Sequence, residues 1–129
     1  MGKVTKPWGG YEVLMHGPKY WIKVLTVAPG CMLSLQKHQH RHEAWTVVMG
    51  EGIAEIHDWP KTLKNGDKRY IMPGDRVDIP CGAKHRLSNP TDKYLIVCEV
   101  AIGDDVREDD IIRYADEYGR KVESEDSSS

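Results

Sequence analysis

Three of the six histidines, His38, His40 and His42, fall within five residues, immediately beside Gln36 and Glu43. Imidazoles next to a carboxylate can hold a divalent ion or carry a proton near neutral pH. On a regular strand residues 36, 38, 40 and 42 share one face, because side chains alternate, and Glu43 points the other way. Gln36, His38 and Glu43 converge only if the chain bulges or turns between His40 and Glu43, a device common beside functional sites. After Glu43 the positions Trp45, Val47 and Met49 are all apolar, so Glu43 heads a run that faces the interior. A buried carboxylate needs a partner, and a metal ion is a suitable one. An isolated His-x-His is most often a solvated surface pair, so the wider spacing has to decide.

The elements that would position such a cluster are short β-branched and aromatic runs: Tyr11 to Met15, Tyr20 to Val27, Ala44 to Met49, Ile53 to His57, Lys68 to Met72, Val77 to Ile79 and Tyr94 to Val100. Their spacing predicts an all-β sandwich or barrel. Pro29-Gly30, Gly50-Glu51-Gly52, Asn65-Gly66, Pro73-Gly74, Cys81-Gly82 and Asn89-Pro90 punctuate them as turns, with Asn65-Gly66 the best hairpin candidate. Asp109 to Tyr118 carries a helical rhythm through Ile111, Ile112, Ala115 and Tyr118, and an extended arm is the alternative. A single domain is expected over residues 1–120, followed by a polar, disordered tail at 121–129.

Composition narrows the function classes. A chain of 129 residues with 40% hydrophobic and 29% charged residues fits one soluble domain. The net charge of -2 offers no basic surface, which disfavours nucleic acid. Neither an 18-residue apolar stretch nor an N-terminal apolar run is present, so membrane spanning and signal-directed secretion are not expected. Cys31, Cys81 and Cys98 are odd in number and widely spaced, as reduced thiols of a cytoplasmic protein would be.

Two ordered strings stand out: Gly30, Gln36, His38, Glu43 and Gly50, then Gly74, Pro80, Gly82, His85 and Asn89. They resemble the paired motifs of the cupin superfamily, small metal-holding β-barrels, with Gln36 in place of the usual first histidine. A closer resemblance is to the type II mannose-6-phosphate isomerase family. It is carried by Lys6-Pro-Trp-Gly-Gly-Tyr11, Leu33-Ser-Leu-Gln-Lys-His-Gln-His-Arg41, Glu43, Trp45, His85-Arg-Leu-Ser-Asn89, Glu99-Val100, Glu108-Asp-Asp-Ile-Ile-Arg113 and Asp116-Glu-Tyr-Gly-Arg120. In that family this region is often the C-terminal domain of a bifunctional enzyme with a guanylyltransferase half, which is absent from this sequence. The resemblance implies a double-stranded β-helix, jelly-roll-like barrel with a short C-terminal helix or arm, a homodimer, and Gln36, His38, Glu43 and His85 as metal ligands.

Two imidazoles, one carboxylate and one amide oxygen suit zinc, manganese, iron, cobalt or nickel. One divalent metal ion of that kind would leave the site net positive and attractive to a sugar phosphate. Aldose to ketose conversion needs a base, a polarised oxygen and a grip on phosphate. His40, on the strand face of His38, is the first candidate base, with hydrogen bonding to a ligand as the alternative role. Arg41, Arg113 and Arg120 are the candidate phosphate clamp, against surface ion pairing with Glu108, Asp109, Asp110 and Asp116. Trp21 and Trp45 are assigned to the core. Lys23 matches a lysine of the family and could reach the pocket, although a lysine on an alternating strand normally faces water, and it is left unassigned.

The family usually carries Glu-His-Trp where this chain has Glu43-Ala44-Trp45, and Glu-Val-Gln where it has Glu99-Val100-Ala101. A displaced imidazole from His42 is one way to fill the gap. The expected activity is interconversion of mannose 6-phosphate and fructose 6-phosphate. A catalytically silent metal cupin binding a sugar phosphate or partner, and another cupin enzyme such as an iron oxygenase built on His38, Glu43 and His85, are the alternatives.

Overall fold

The computed structural model describes residues 2–57 and 67–115. Two antiparallel sheets enclose one interior. The larger has the order β1 (Gly2–Lys6), β2 (Gly9–His16), β3 (Tyr20–Val27), β10 (Leu95–Gly103), β5 (Arg41–Met49) and β8 (Arg76–Ile79). The smaller runs β11 (Ile112–Ala115), β4 (Leu35–Lys37), β9 (Lys84–Ser88), β6 (Gly52–His57) and β7 (Asp67–Ile71).

Alternation along the central strands sets the interior. In β3, Trp21, Lys23, Leu25 and Val27 are buried while the residues between them are not. In β10 the inward set is Leu95, Val97, Glu99 and Ala101. Register stacks these into cross-strand rows: Leu25 opposite Val97 and Val97 opposite Val47, then Lys23 opposite Glu99 and Glu99 opposite Trp45. A further row joins Trp21, Ala101 and Glu43. The apolar rows merge with Trp8, Ile71, Val77, Ile79, Ala83 and Leu87 into the main core.

Each of the seven expected runs coincides with a strand, with Met72 and Tyr94 falling one residue outside theirs, and glycines stand at the described turns. At Gly50 φ is +78°, and a Cβ would meet the Tyr94 carbonyl oxygen at 2.2 Å. At Gly103 a Cβ would stand 1.8 Å from the His40 carbonyl oxygen, so only glycine lets the end of β10 cross the start of β5 this closely. The Asn65-Gly66 hairpin, Asp116 to Arg120 and the tail at 121–129 lie outside the described residues.

The segment with helical rhythm is extended where it is described. Residues 112–115 form β11, which pairs antiparallel with β4 through Ile112 opposite Lys37 and Arg113 opposite Gln36. No helix occurs among the described residues. Pairing to the open edge of β4 outweighs a weak helical pattern, and the extended arm is the form adopted.

Candidate metal centre

The site lies where the two sheets meet. Gln36 on β4 and His85 on β9 are register partners in the smaller sheet, Glu43 belongs to β5 in the larger one, and His38 sits on the connection between them. Burial along this connection reads buried at 36 and 38, exposed at 39 and 40, and buried again at 41 and 43. Two successive exposed residues reverse the inward parity. The expected turn is therefore present, but at Gln39 and His40, just ahead of the predicted interval.

That corner decides the fate of each candidate. His40 is turned out, 45% exposed, with Nδ1 3.4 Å from Asp104, and it does not line the cavity. The expectation that it acts as base is corrected: it shared the face of His38 only while the strand was taken as regular. His42 also points outward. Ala44 is likewise off the cavity lining, so a family histidine replaced at this position removes nothing from the interior. Ala101 does face inward, packed in a small cluster with Trp21 and Val106.

His38, Glu43 and His85 each offer a ligand atom, all within 4.8 Å of one another, and all three residues are buried. His38 Nδ1 donates to the Asp110 carbonyl at 2.7 Å, and His85 Nδ1 donates to the Ala83 carbonyl at 3.0 Å. A carbonyl only accepts, so both imidazoles carry their proton on Nδ1 and present Nε2 as a lone pair. Those Nε2 atoms lie 3.3 Å and 3.7 Å from the Glu43 carboxylate. Burial pushes His38 down to about 4, and lowers His85 as well, against the pull of Glu43, so both are neutral near pH 7.

Burial alone would raise the Glu43 carboxyl, yet His38, His85 and Arg41 hold it below the usual carboxylate range. The Gln36 amide nitrogen donates to the Ser34 carbonyl at 3.3 Å and hydroxyl at 3.2 Å, which leaves its oxygen as an available acceptor. Arg41 answers the carboxylate and the His38 lone pair from one side, and His85 Nε2 and the second Glu43 oxygen face the cluster beside it. These imidazole, amide and carboxylate atoms fit a borderline divalent ion.

A cavity of about 140 Å³ opens beside this cluster and is lined by Gln36, His38, Glu43 and His85 together with Arg41 and Arg113. Arg41 is inside, as expected, but its donors serve its neighbours: Nε to Glu43 at 2.9 Å, Nη2 to His38 at 3.3 Å and Nη1 to the Arg107 carbonyl at 2.8 Å. It braces the ligands. Arg113 reaches the lining from β11, and Arg120 lies outside the described residues.

Three residues that the sequence left without a role stand at or beside the cavity. Lys23 is buried rather than facing water, and lines the cavity. Glu99 accepts from Trp21 Nε1 at 2.8 Å and Trp45 Nε1 at 3.2 Å. Burial, followed by the charge of Glu43, pushes Glu99 up to about 8, so it holds a proton at neutral pH. Both occupy inward positions of strictly alternating strands, and a charged residue at such a position was the available signal. Asp110 had none. Its carboxylate caps the backbone N–H of Gln39 and of His40, each at 2.9 Å, and so holds the corner after His38.

Fold and metal-ligand geometry together define a cupin, a double-stranded β-helix. A Staphylococcus aureus capsular polysaccharide assembling protein, CapF, superposes over 86% of this chain and 33% of its own with a TM-score of 0.73 at 19% identity. A sugar phosphate isomerase of the cupin superfamily from Silicibacter pomeroyi superposes over 65% of this chain and 50% of its own, with a TM-score of 0.54 at 22% identity. The chain belongs to the mannose-6-phosphate isomerase C-terminal family, whose model matches residues 1–116. Among curated relatives it is 40% identical, over 92% of its length, to a mannose-1-phosphate guanylyltransferase of Escherichia coli. It is 41% identical, again over 92%, to the xanthan biosynthesis protein XanB of Xanthomonas campestris. It spans only about a quarter of either relative, 23% and 24%.

Proposed function

We propose that this domain interconverts mannose 6-phosphate and fructose 6-phosphate with a divalent cation held by Gln36, His38, Glu43 and His85. The observation that carries the reading is the meeting of these four side chains with a protonated carboxyl, Glu99, in one cavity of a chain of this family. When bound, the cation polarises the sugar oxygens and stabilises negative charge that develops on them.

The rest of the work falls to the chain. Glu99 contacts Glu43 and is held between two indole N–H groups; in its ionised form, present as a minority at neutral pH, it takes the proton from C2 and returns it to C1 while the hydroxyl proton passes from O2 to O1. It takes the role first given to His40. Arg41 fixes the position of Glu43. The indoles of Trp21 and Trp45 wall the cavity and exclude water from the reacting carbons.

Formation of fructose 6-phosphate from mannose 6-phosphate, followed by a coupled assay with and without chelator, tests the reading. Turnover that chelation removes and a divalent metal restores is the expected result. Metal and sugar-phosphate binding without turnover would instead mean a silent cupin. The reading also includes a homodimer formed through the outer face of β3 and β10, where Tyr20 and Ile102 are exposed register partners. Light scattering at micromolar concentration checks it.

A further inference from the structure

Lys23 is 4% exposed, and an ammonium so buried needs an anion beside it. Its Nζ lies 3.5 Å from the centre of the Trp21 ring and 4.0 Å from that of Tyr11, two faces that attract the cation without neutralising it. The anion in contact is the carboxylate of Glu108, which also accepts from the Tyr11 hydroxyl. The partners are unequal: the Lys23 side chain is 5% exposed and that of Glu108 is 52% exposed.

Glu108 belongs to the connection between β10 and β11. This strap is tied on either side of it, by Val106 N–H to the Pro18 carbonyl at 3.0 Å and by Asp110 to the corner at Gln39 and His40. A cation fixed in the wall is thus capped by a carboxylate that reaches in from solvent. Another anion entering the cavity would meet the same two donors.

Lys23 and the metal ligands face one interior. Lys23 is two strands from β5 and one inward row from Glu43, which sets their Cα atoms roughly 12 Å apart at ordinary sheet spacings. Their side chains converge from there on one cavity.

We propose that Lys23 Nζ and the Tyr11 hydroxyl form the subsite for the substrate's phosphate, and that Glu108 fills this subsite until phosphate displaces it. The identity of the natural anion rests on the isomerase reading; the subsite and its internal competitor do not. Of the clamp expected from Arg41, Arg113 and Arg120, the Arg41 donors are engaged with Glu43, His38 and the strap, and Arg113 lines the same cavity as Lys23.

Calorimetric titration of the metal-loaded full chain with inorganic phosphate tests this. Glu108→Gln keeps the shape of the strap and removes the competing charge, and is expected to bind phosphate about tenfold more tightly than the parent. Asp109→Asn removes the same charge one residue away, from a side chain that is 76% exposed and paired with Arg107, and is expected to change affinity by less than about twofold. Lys23→Gln is expected to abolish phosphate binding. An unchanged constant for Glu108→Gln, or an equal gain in Asp109→Asn, overturns the proposal even if Lys23→Gln fails to fold. A phosphate response without isomerisation leaves the subsite standing and removes the isomerase reading; isomerisation without that response does the reverse.

Discussion

The two ends of the barrel are built by the same strands and differ in everything their inward residues do. Toward one end, Leu25 and Val27 of β3 meet Val97 and Leu95 of β10 in rows that are wholly apolar. Two residues further along these strands the row is Lys23, Glu99 and Trp45, and beyond it lie Trp21, Ala101 and Glu43. A plug of close-packed side chains therefore supports a cup of charged ones. The polar groups at the cup end are tolerated because each is answered by a neighbour: the Glu43 charge by Arg41, the neutral Glu99 carboxyl by two indoles, the Lys23 charge by Glu108. Stability is seated in the plug and chemistry in the cup, so substitutions at the two ends should separate the two properties.

The largest separation is expected at Glu43. Removing the only anionic ligand by Glu43→Gln should weaken metal binding by more than about a hundredfold and abolish metal-dependent turnover. Metal analysis after dialysis against a weak chelator reads it, and His40→Ala, outside the cup, should retain full stoichiometry.

At the plug end Leu95 is fully buried. Leu95→Ala should cost about 2 to 5 kcal/mol in denaturant unfolding while leaving the metal content of the folded protein unchanged. A loss of metal in this variant would show that the ends are mechanically coupled.

Asp110 tests the seam between cup and strap. Asp110→Ala frees the corner after His38 and should weaken metal binding about tenfold, less than loss of a ligand. A pH slope reads the buried carboxyl of the cup. Glu99 titrates near 8 in the fold and near 4.5 when exposed, so between those values the folded state holds a proton that the unfolded chain has lost. Its contribution to stability therefore falls as pH rises through that window. In metal-free protein, Glu99→Gln should gain stability relative to the parent between about pH 5 and pH 8, as read from unfolding midpoints. The titration of His38 is common to both proteins and cancels.

The plug was legible in the sequence because alternation of large apolar residues is a local signal. Trp21-x-x-x-Leu25-x-Val27 and Leu95-x-Val97 mark their inward face without reference to the rest of the molecule. The cup was legible only as composition. Its histidines, Gln36 and Glu43 could be named, yet His38 and His40 are indistinguishable two residues apart on one strand. Lys23 and Glu99 obey the inward parity but carry charges, and charge at such a position reads as solvent exposure until its partners are known. The strand at Lys84 to Ser88 was passed over because its inward residues are His85 and Leu87, too polar a pair to register as a strand.

By itself the sequence determined a barrel of alternating strands, the ligand types and the two stretches that supply them, since these follow from side-chain chemistry and short-range pattern. Only the tertiary structure decided which histidine turns in. The corner at Gln39 and His40 arises because β4 and β5 belong to different sheets, and crossing between sheets shifts inward parity by one residue. That shift is invisible to any reading that follows a single strand.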